Sequence, residues 1–311
     1  MSCLQPSTEP KVPTNDHFPG NGTAPEVLFP GNGTWGAGRD DRLVPEPAVI
    51  TDPDDPRVAD FRDLKAGDRP EGTPRWGGPV IVEGVTAVER LLASDYRIRA
   101  VFGVPGRVAA LDLPDDVPAY EADKWLLSDV IGFRLTRGVL ASADRRPPAD
   151  LDRLLAGPDP AAPRRLAVLE ALNDAENLGS IARSALALGI DGLLLDPRCA
   201  DPLYRRSVRV SMGHVLALPF AVLPDWPGDL GRLHDAGYTT VALTPAVDAI
   251  DLTSIDARQH PRTAVLLGAE GPGLTPEAQA AALIRARIQM RTGVDSLGVA
   301  AAAAIAFATV R

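Results

Sequence analysis

The sequence predicts an α/β protein with a parallel sheet in its C-terminal half and a smaller α/β domain before it. Three observations carry this. Five apolar runs, "LAVLEAL", "GLLLD", "ALPFAVL", "TTVALTP" and "TAVLLGAE", recur after residue 165, and strands apolar on both faces belong to parallel sheets covered by helices on each side. Helical segments separate the runs, as crossovers between parallel strands require. Finally, 45% of the 311 residues are hydrophobic, enough for a sizeable core and two domains.

Taken in order, residues 1–48 are rich in Pro, Gly and Asn and repeat "FPGNGT" at 18–23 and 29–34. Such a composition buries too little apolar surface to offset chain entropy, so a disordered tail is expected. Residues 49–77 form an N-terminal extension with a short helical pattern around 56–64. From 78 to 145 strand and helix signals alternate: "PVIVEG", "TAVERLLAS", "IRAVFGVP", "KWLLSDVIG" and "RGVLASADR". This is the small α/β domain. Residues 146–164 are proline-rich around a short amphipathic helix and read as a linker, and 165–311 form the second domain.

Composition excludes some function classes. No apolar stretch is long enough to span a membrane, the alanine-rich end included. The start "MSCLQPSTEPKVP" has neither a basic region nor an apolar core, so no signal peptide is read there. Cys3 and Cys199 are the only cysteines, too few for a disulfide framework or a cysteine-rich metal site. A cytoplasmic protein without a metal is expected. The net charge of −9 speaks against a nucleic-acid partner, but residues 1–75 hold −5 of it, so global charge decides little. Locally, "DPLYRRSVRVSMGHV" gathers Arg205, Arg206 and Arg209 near Arg198. Arg205 and Arg206 are candidate RNA contacts, to be weighed against an ordinary solvated face.

Ligands of open parallel sheets collect at the carboxyl ends of strands, and three loops there stand out. In "LNDAENLGSIARSALALGI" a polar crossing at 173–177 leads into a thin, small-residue helix that carries Arg183 and ends at Gly189. N-capping by Asn173 or Asp174 and close packing explain the rest, but not Arg183. In "LLGAEGPGLTPEA" a strand ends at Leu267, Gly268 leaves room for a ligand to approach the backbone, and Glu270 sits in a glycine turn before a helix capped by Thr275. In "ARIQMRTGVDSLGVAAAAAIAFATVR" a short strand ends at Met290, a loop carries Gly293, Asp295 and Ser296, and a buried helix closes the chain.

In order and spacing, "NDAENLGSIARSALALG", "LLGAEGPGL" and "IQMRTGVDSLGVAAAAAIA" resemble the SpoU/TrmH branch of the SPOUT methyltransferases, the knotted RNA 2′-O-ribose methyltransferases. Residues 78–145 also look like the small substrate-binding domain that often precedes the knotted one. The resemblance implies a C-terminal SPOUT domain with a deep trefoil knot, an exception to the usual chain topology. It implies S-adenosyl-L-methionine as cofactor, held mostly by backbone groups at Leu267, Gly268, Ile288, Met290 and Leu297. It places Asn177, Arg183, Glu270 and Ser296 in the catalytic set, and it implies a homodimer with RNA as substrate, ribosomal rather than transfer RNA. Arg183 is expected to hold the target phosphate and hydroxyl, since a guanidinium is a poor general base.

The family's third motif reads Ser-Leu-Asn-Val, whereas here it is "SLGV", with Gly298 in place of the asparagine. A catalytically weakened RNA-binding relative is therefore carried as an alternative, and a tRNA methyltransferase as another, because the sequence does not identify the RNA. A doubly wound oxidoreductase is disfavoured, because no G-x-G-x-x-G follows the first strand of either domain.

Overall fold

The computed structural model describes residues 46–65 and 76–310, so the expected tail lies outside the described residues except for 46–48. Two sheets are present. The first runs β1 (Ala48–Val49), β2 (Val80–Glu83), α1 (Val85–Leu92), β3 (Ile98–Gly103), α2 (Pro105–Val108), β4 (Ala119–Glu121), α3 (Lys124–Ile131) and β5 (Val139–Ala143), in spatial order β1-β4-β3-β5-β2. Helix α1 presents Ala87, Val88 and Leu91 to its core, the stripe expected of an amphipathic helix. Helix α3 starts where the Asp123 carboxylate accepts from the backbone N–H groups of Trp125 and Leu126.

The described start of the segment read as an N-terminal extension joins this sheet. Strand β1 pairs with β4, Ile50 N–H donates to the Glu121 carbonyl at 2.8 Å, and Val58 and Phe61 of the 3-10 turn Pro56–Phe61 are buried. The Phe61 ring lies 5.6 Å from that of Phe102. A two-residue strand has no periodicity to read, and its partner β4, three residues long and half-exposed, left no signal either.

The chain continues through α4 (Leu151–Ala156), β6 (Arg164–Leu169), α5 (Ala175–Ala187), β7 (Gly192–Leu195), α6 (Arg205–Val210), β8 (Phe220–Val222), α7 (Leu230–Asp235), β9 (Thr239–Leu243), β10 (Ile250–Asp251), β11 (Arg262–Leu267), α8 (Pro276–Ala281), β12 (Ile284–Arg287) and α9 (Val299–Thr309). The second sheet has seven strands, all parallel, in order β10-β12-β9-β11-β6-β7-β8. Alternate residues of its apolar strands feed two cores. Ala167, Leu169, Val265 and Leu267 face one core with Ile181, Ala185 and Phe307; Leu166, Val168, Ala264 and Leu266 face the other with Leu230 and Leu233. Burial on both faces is why these strands read as unbroken apolar runs.

Two boundaries shift from the sequence reading. The expected linker is part of the second core: Leu151, Leu154 and Leu155 of α4 are buried there, and the Tyr238 hydroxyl donates to the Leu155 carbonyl at 2.9 Å. The third-motif strand ends at Arg287, three residues before Met290. The C-terminal helix buries only one side. Val299, Ala303, Ala306 and Phe307 are covered, while Ile305 is 41% exposed. Among the described residues no helix is long and apolar enough to cross a membrane.

Both sheets fall in one compact unit, and charged contacts join them. Arg145 donates to the buried Asp201 at 2.8 Å. Arg205 donates to the buried Glu83 at 2.9 Å and to the Leu64 carbonyl at 3.0 Å, with its guanidinium 4.5 Å from the centre of the Phe133 ring. This corrects the expectation that Arg205 contacts RNA. The side chain is 8% exposed and its charge is already met by Glu83, as burial of a cation demands.

Candidate active site

Helix α5 opens where the Asp174 carboxylate accepts from the Glu176 N–H at 2.6 Å and the Asn177 N–H at 3.4 Å. That cap answers the choice between Asn173 and Asp174, and it turns Asn177 toward the second loop. The Asn177 amide donates to Glu270 Oε2 at 2.9 Å, joining two sequence-predicted residues 93 positions apart. Helix α5 lies hard against α6: a Cβ on Gly179 would stand 2.6 Å from the Ser207 carbonyl oxygen. The small residues of the first motif are therefore a packing requirement. Arg183, two turns into α5, is exposed.

In the second loop Gly268 has a different reason from the one expected. A Cβ there would stand 2.0 Å from the Gly273 carbonyl carbon and 2.1 Å from the Leu274 nitrogen. What approaches Gly268 so closely is the loop itself, folded back through an Ala269–Gly273 bridge in which Gly273 N–H donates to the Ala269 carbonyl at 2.9 Å. The turn holds Glu270 out at its exposed tip.

A residue missed in the sequence fastens this loop. Glu170, directly after β6, is 1% exposed. Its carboxylate accepts from the Thr275 N–H and hydroxyl, each at 2.8 Å, from Trp226 Nε1 at 2.8 Å and from Arg198 at 3.3 Å. Its own N–H donates to the Leu267 carbonyl at 2.8 Å. Thr275 in turn caps α8 through the Ala278 N–H. Beside it, burial raises the Asp196 carboxyl, but hydrogen bonds from Arg198 and the Ala171 N–H outweigh that and hold it below the usual range. These groups line a pocket of about 390 Å³ with Trp226, Pro224 and Pro227. The available signal was a lone glutamate closing an otherwise apolar strand.

The third loop is differently made. Residues 291–298, Ser296 and Leu297 among them, are all exposed, and Ile288 and Met290 are half-buried. Gly298 caps α9 without a side chain, its carbonyl accepting from Ala301 and Ala302. Of the remaining sequence-predicted residues, Arg206 is half-buried on α6. The basic run therefore does not form one patch: Arg198 turns to Glu170 and Asp196, Arg205 is internal, and Arg209 faces Glu176 at 3.7 Å.

The residues fit an S-adenosylmethionine site that reads main-chain atoms. Among the described residues the peptide groups of 288–290 make no backbone hydrogen bond outside the strand ladders, so donors and acceptors remain for an adenine edge. The Leu267 side chain is 2% exposed and belongs to the core, which leaves its backbone as the part a ligand could use. No three His, Cys, Asp or Glu side chains among the described residues come together as a metal cage.

Residues 164–308 match the model of the SpoU rRNA Methylase family. An uncharacterized tRNA/rRNA methyltransferase of Mycobacterium tuberculosis is 48% identical over 264 residues, covering 83% of this chain and 89% of its own. The chain belongs to the SpoU methylase family. A second uncharacterized tRNA/rRNA methyltransferase, from Synechocystis, is 29% identical over 85% of this chain and 93% of its own. Among solved structures, the AdoMet-bound rRNA methyltransferase of Sinorhizobium meliloti superposes with a TM-score of 0.67 at 25% identity, covering 85% of this chain and 97% of its own. The SpoU methyltransferase AviRb of Streptomyces viridochromogenes, at 24% identity and a TM-score of 0.60, shares the fold over 75% of this chain and 89% of its own. This SpoU-family chain is accordingly a methyltransferase whose cofactor is S-adenosyl-L-methionine.

Proposed function

We propose that this chain methylates a ribose 2′-hydroxyl of ribosomal RNA, acting as a homodimer in the cytoplasm. The observation that carries the reading is the 2.9 Å bond from Asn177 to Glu270, which joins the first and second motifs beside the Leu267–Gly268 backbone. Arg183 rises from the same helix. The cofactor supplies a sulfonium methyl group. The chain's residues must then align a weakly nucleophilic hydroxyl and leave its proton a way out. A guanidinium stays protonated at any working pH, so Arg183 holds the hydroxyl and its neighbouring phosphate while phosphate or water takes the proton.

Ribosomal RNA is preferred because the S. meliloti neighbour, covered over 97% of its length, is named an rRNA methyltransferase. The M. tuberculosis relative's name leaves transfer RNA as the alternative. The exposed apolar residues Val294, Leu297 and Ile305 on the third loop and α9 support a second copy docking there. The insertion of β12 between β10 and β9, followed by the return of α9 across α5, supports a trefoil knot threaded by the C-terminal segment.

The test is methyl transfer from labelled S-adenosylmethionine to purified ribosomal or transfer RNA, with the product hydrolysed in alkali. Label in ribosomal RNA at an alkali-resistant linkage is expected, since only 2′-O-methylation blocks cleavage there. Label confined to bases would overturn the ribose assignment, and label only in transfer RNA would overturn the substrate. Arg183→Ala should lower single-turnover transfer by on the order of 10²-fold, the scale of misplaced reacting groups, with cofactor affinity unchanged. Equal loss of both, with a lower Tm, would make Arg183 structural.

A further inference from the structure

We propose that Arg90 and His214, from either side of the junction between the two sheets, complete with Arg183 a site for a backbone phosphodiester of the bound RNA. This rests on the RNA-methyltransferase reading and extends it, because it gives the first domain a residue at the catalytic helix.

Three elements converge. Helix α1 of the first domain lies against the turn at 212–214: a Cβ on Gly213 would stand 3.3 Å from the Ala87 Cα and carbonyl oxygen. Met212 and Gly213 both take positive φ, 53° and 83°, and the reversal that these left-handed residues make starts the 3-10 turn His214–Ala217 alongside α5. Arg90, on α1, donates one N–H to the Met212 carbonyl, which pins its guanidinium at the turn, and among the described residues its other donors have no partner. Arg183 stands on α5, the helix that packs against the His214–Ala217 turn. Burial first, and then the positive charges of Arg90 and Arg183, hold the His214 imidazole below its ordinary range.

Among the described residues no counter-charge answers this cluster. Among the described residues neither Arg90 nor Arg183 makes an ion pair, and His214 Nδ1 is buried without a hydrogen-bond partner. Most other guanidiniums around the junction are paired, Arg145 with Asp201, Arg205 with Glu83 and Arg209 with Glu176. Two cations gathered without a carboxylate among the described residues repel one another and disfavour a protonated His214, and an anion relieves both effects. The planar fork of arginine matches two phosphate oxygens, and an anion held at the guanidiniums favours the protonated form of the imidazole beside them. A phosphodiester beside the target ribose is the anion that an RNA substrate brings to Arg183.

The experiment has two arms. In the first, the His214 ring is followed by NMR across pH, with inorganic phosphate and with sodium chloride at matched ionic strength. Phosphate should raise its titration midpoint and chloride should not; equal responses would overturn the site. In the second, binding of ribosomal RNA is measured against salt for the wild type, Arg90→Gln and Arg90→Lys. Arg90→Gln should weaken binding about five-fold near 0.1 M salt and lower the salt slope by about one contact, with Arg90→Lys between it and the wild type and cofactor affinity equal in all three. A wild-type slope in a folded Arg90→Gln protein would overturn the proposal. A phosphate-responsive His214 in a protein that transfers no methyl to RNA would leave the site standing and sink the reaction instead. Methyl transfer with no phosphate response and an unchanged slope would do the reverse.

Discussion

The second and third loops leave the same edge of the seven-stranded sheet and are built in opposite ways. The second is held from within: Glu170 grips Thr275 from below, the Ala269–Gly273 bridge folds it over, and Asn177 reaches Glu270 from α5. In the third, residues 291–298 are all exposed, and the only backbone bond among the described residues that closes it runs from the Val294 N–H to the Arg291 carbonyl. One half of the site is finished by the fold. The other half presents its groups outward, where the proposed function has binding cover them. Substitutions in the second loop should therefore appear first in stability, and those in the third in binding, and this contrast can be broken experimentally.

The largest effect is expected at Glu170. Glu170→Ala strands the Thr275 N–H and hydroxyl and the Trp226 indole without an acceptor. Removing one member of a buried charged network costs about 3 kcal/mol, at the low end because Arg198 is 56% exposed and can turn to water. Chemical denaturation should show that loss, and Glu170→Gln should recover part of it through its remaining carbonyl. A fall in cofactor affinity with unchanged stability would mean the two loops are not built differently.

Gly268→Ala comes next, at about 2 kcal/mol from overpacking against backbone that cannot yield, with loss of S-adenosylmethionine binding by calorimetry. Ser296→Ala and Leu297→Ala in the third loop should move stability by less than about 0.5 kcal/mol, as exposed positions do, while lowering cofactor affinity or transfer. If either unfolds the protein as Glu170→Ala does, the contrast fails.

What could be read from the sequence divides along related lines. The central strands were legible because burial on both faces leaves an unbroken apolar run, and the three loops because their polar and glycine residues interrupt such runs at the ligand edge. Strands β1 and β4 were not legible, being too short to show a period. Nor was the burial of Arg205, whose partner Glu83 lies 122 positions away: a cation in a basic run looks solvated until the fold supplies its carboxylate. Glu170 was missed for the same reason, since Thr275 is 105 positions off. The motif residues Asn177 and Glu270 were readable one at a time, but the bond between them was not.

The smallest expected effect is at Gly298, and it tests the third loop by addition. Nothing stands within 4 Å of where a Cβ would go there, and its φ of −57° suits any residue, so no local requirement explains the glycine. It occupies the N-cap of α9 with no side-chain acceptor, and asparagine is among the best residues for that position. Gly298→Asn should therefore raise stability by a few tenths of a kcal/mol, a rise of about a degree or less in Tm for a chain of this size. It also restores the asparagine of the related motif beside Ser296 and Leu297, where an amide can order an exposed loop. Methyl transfer should rise while stability barely changes, the inverse of Glu170→Ala. Slower transfer in a protein of equal or greater Tm would show that the open loop, with glycine at its hinge into α9, is the form that works.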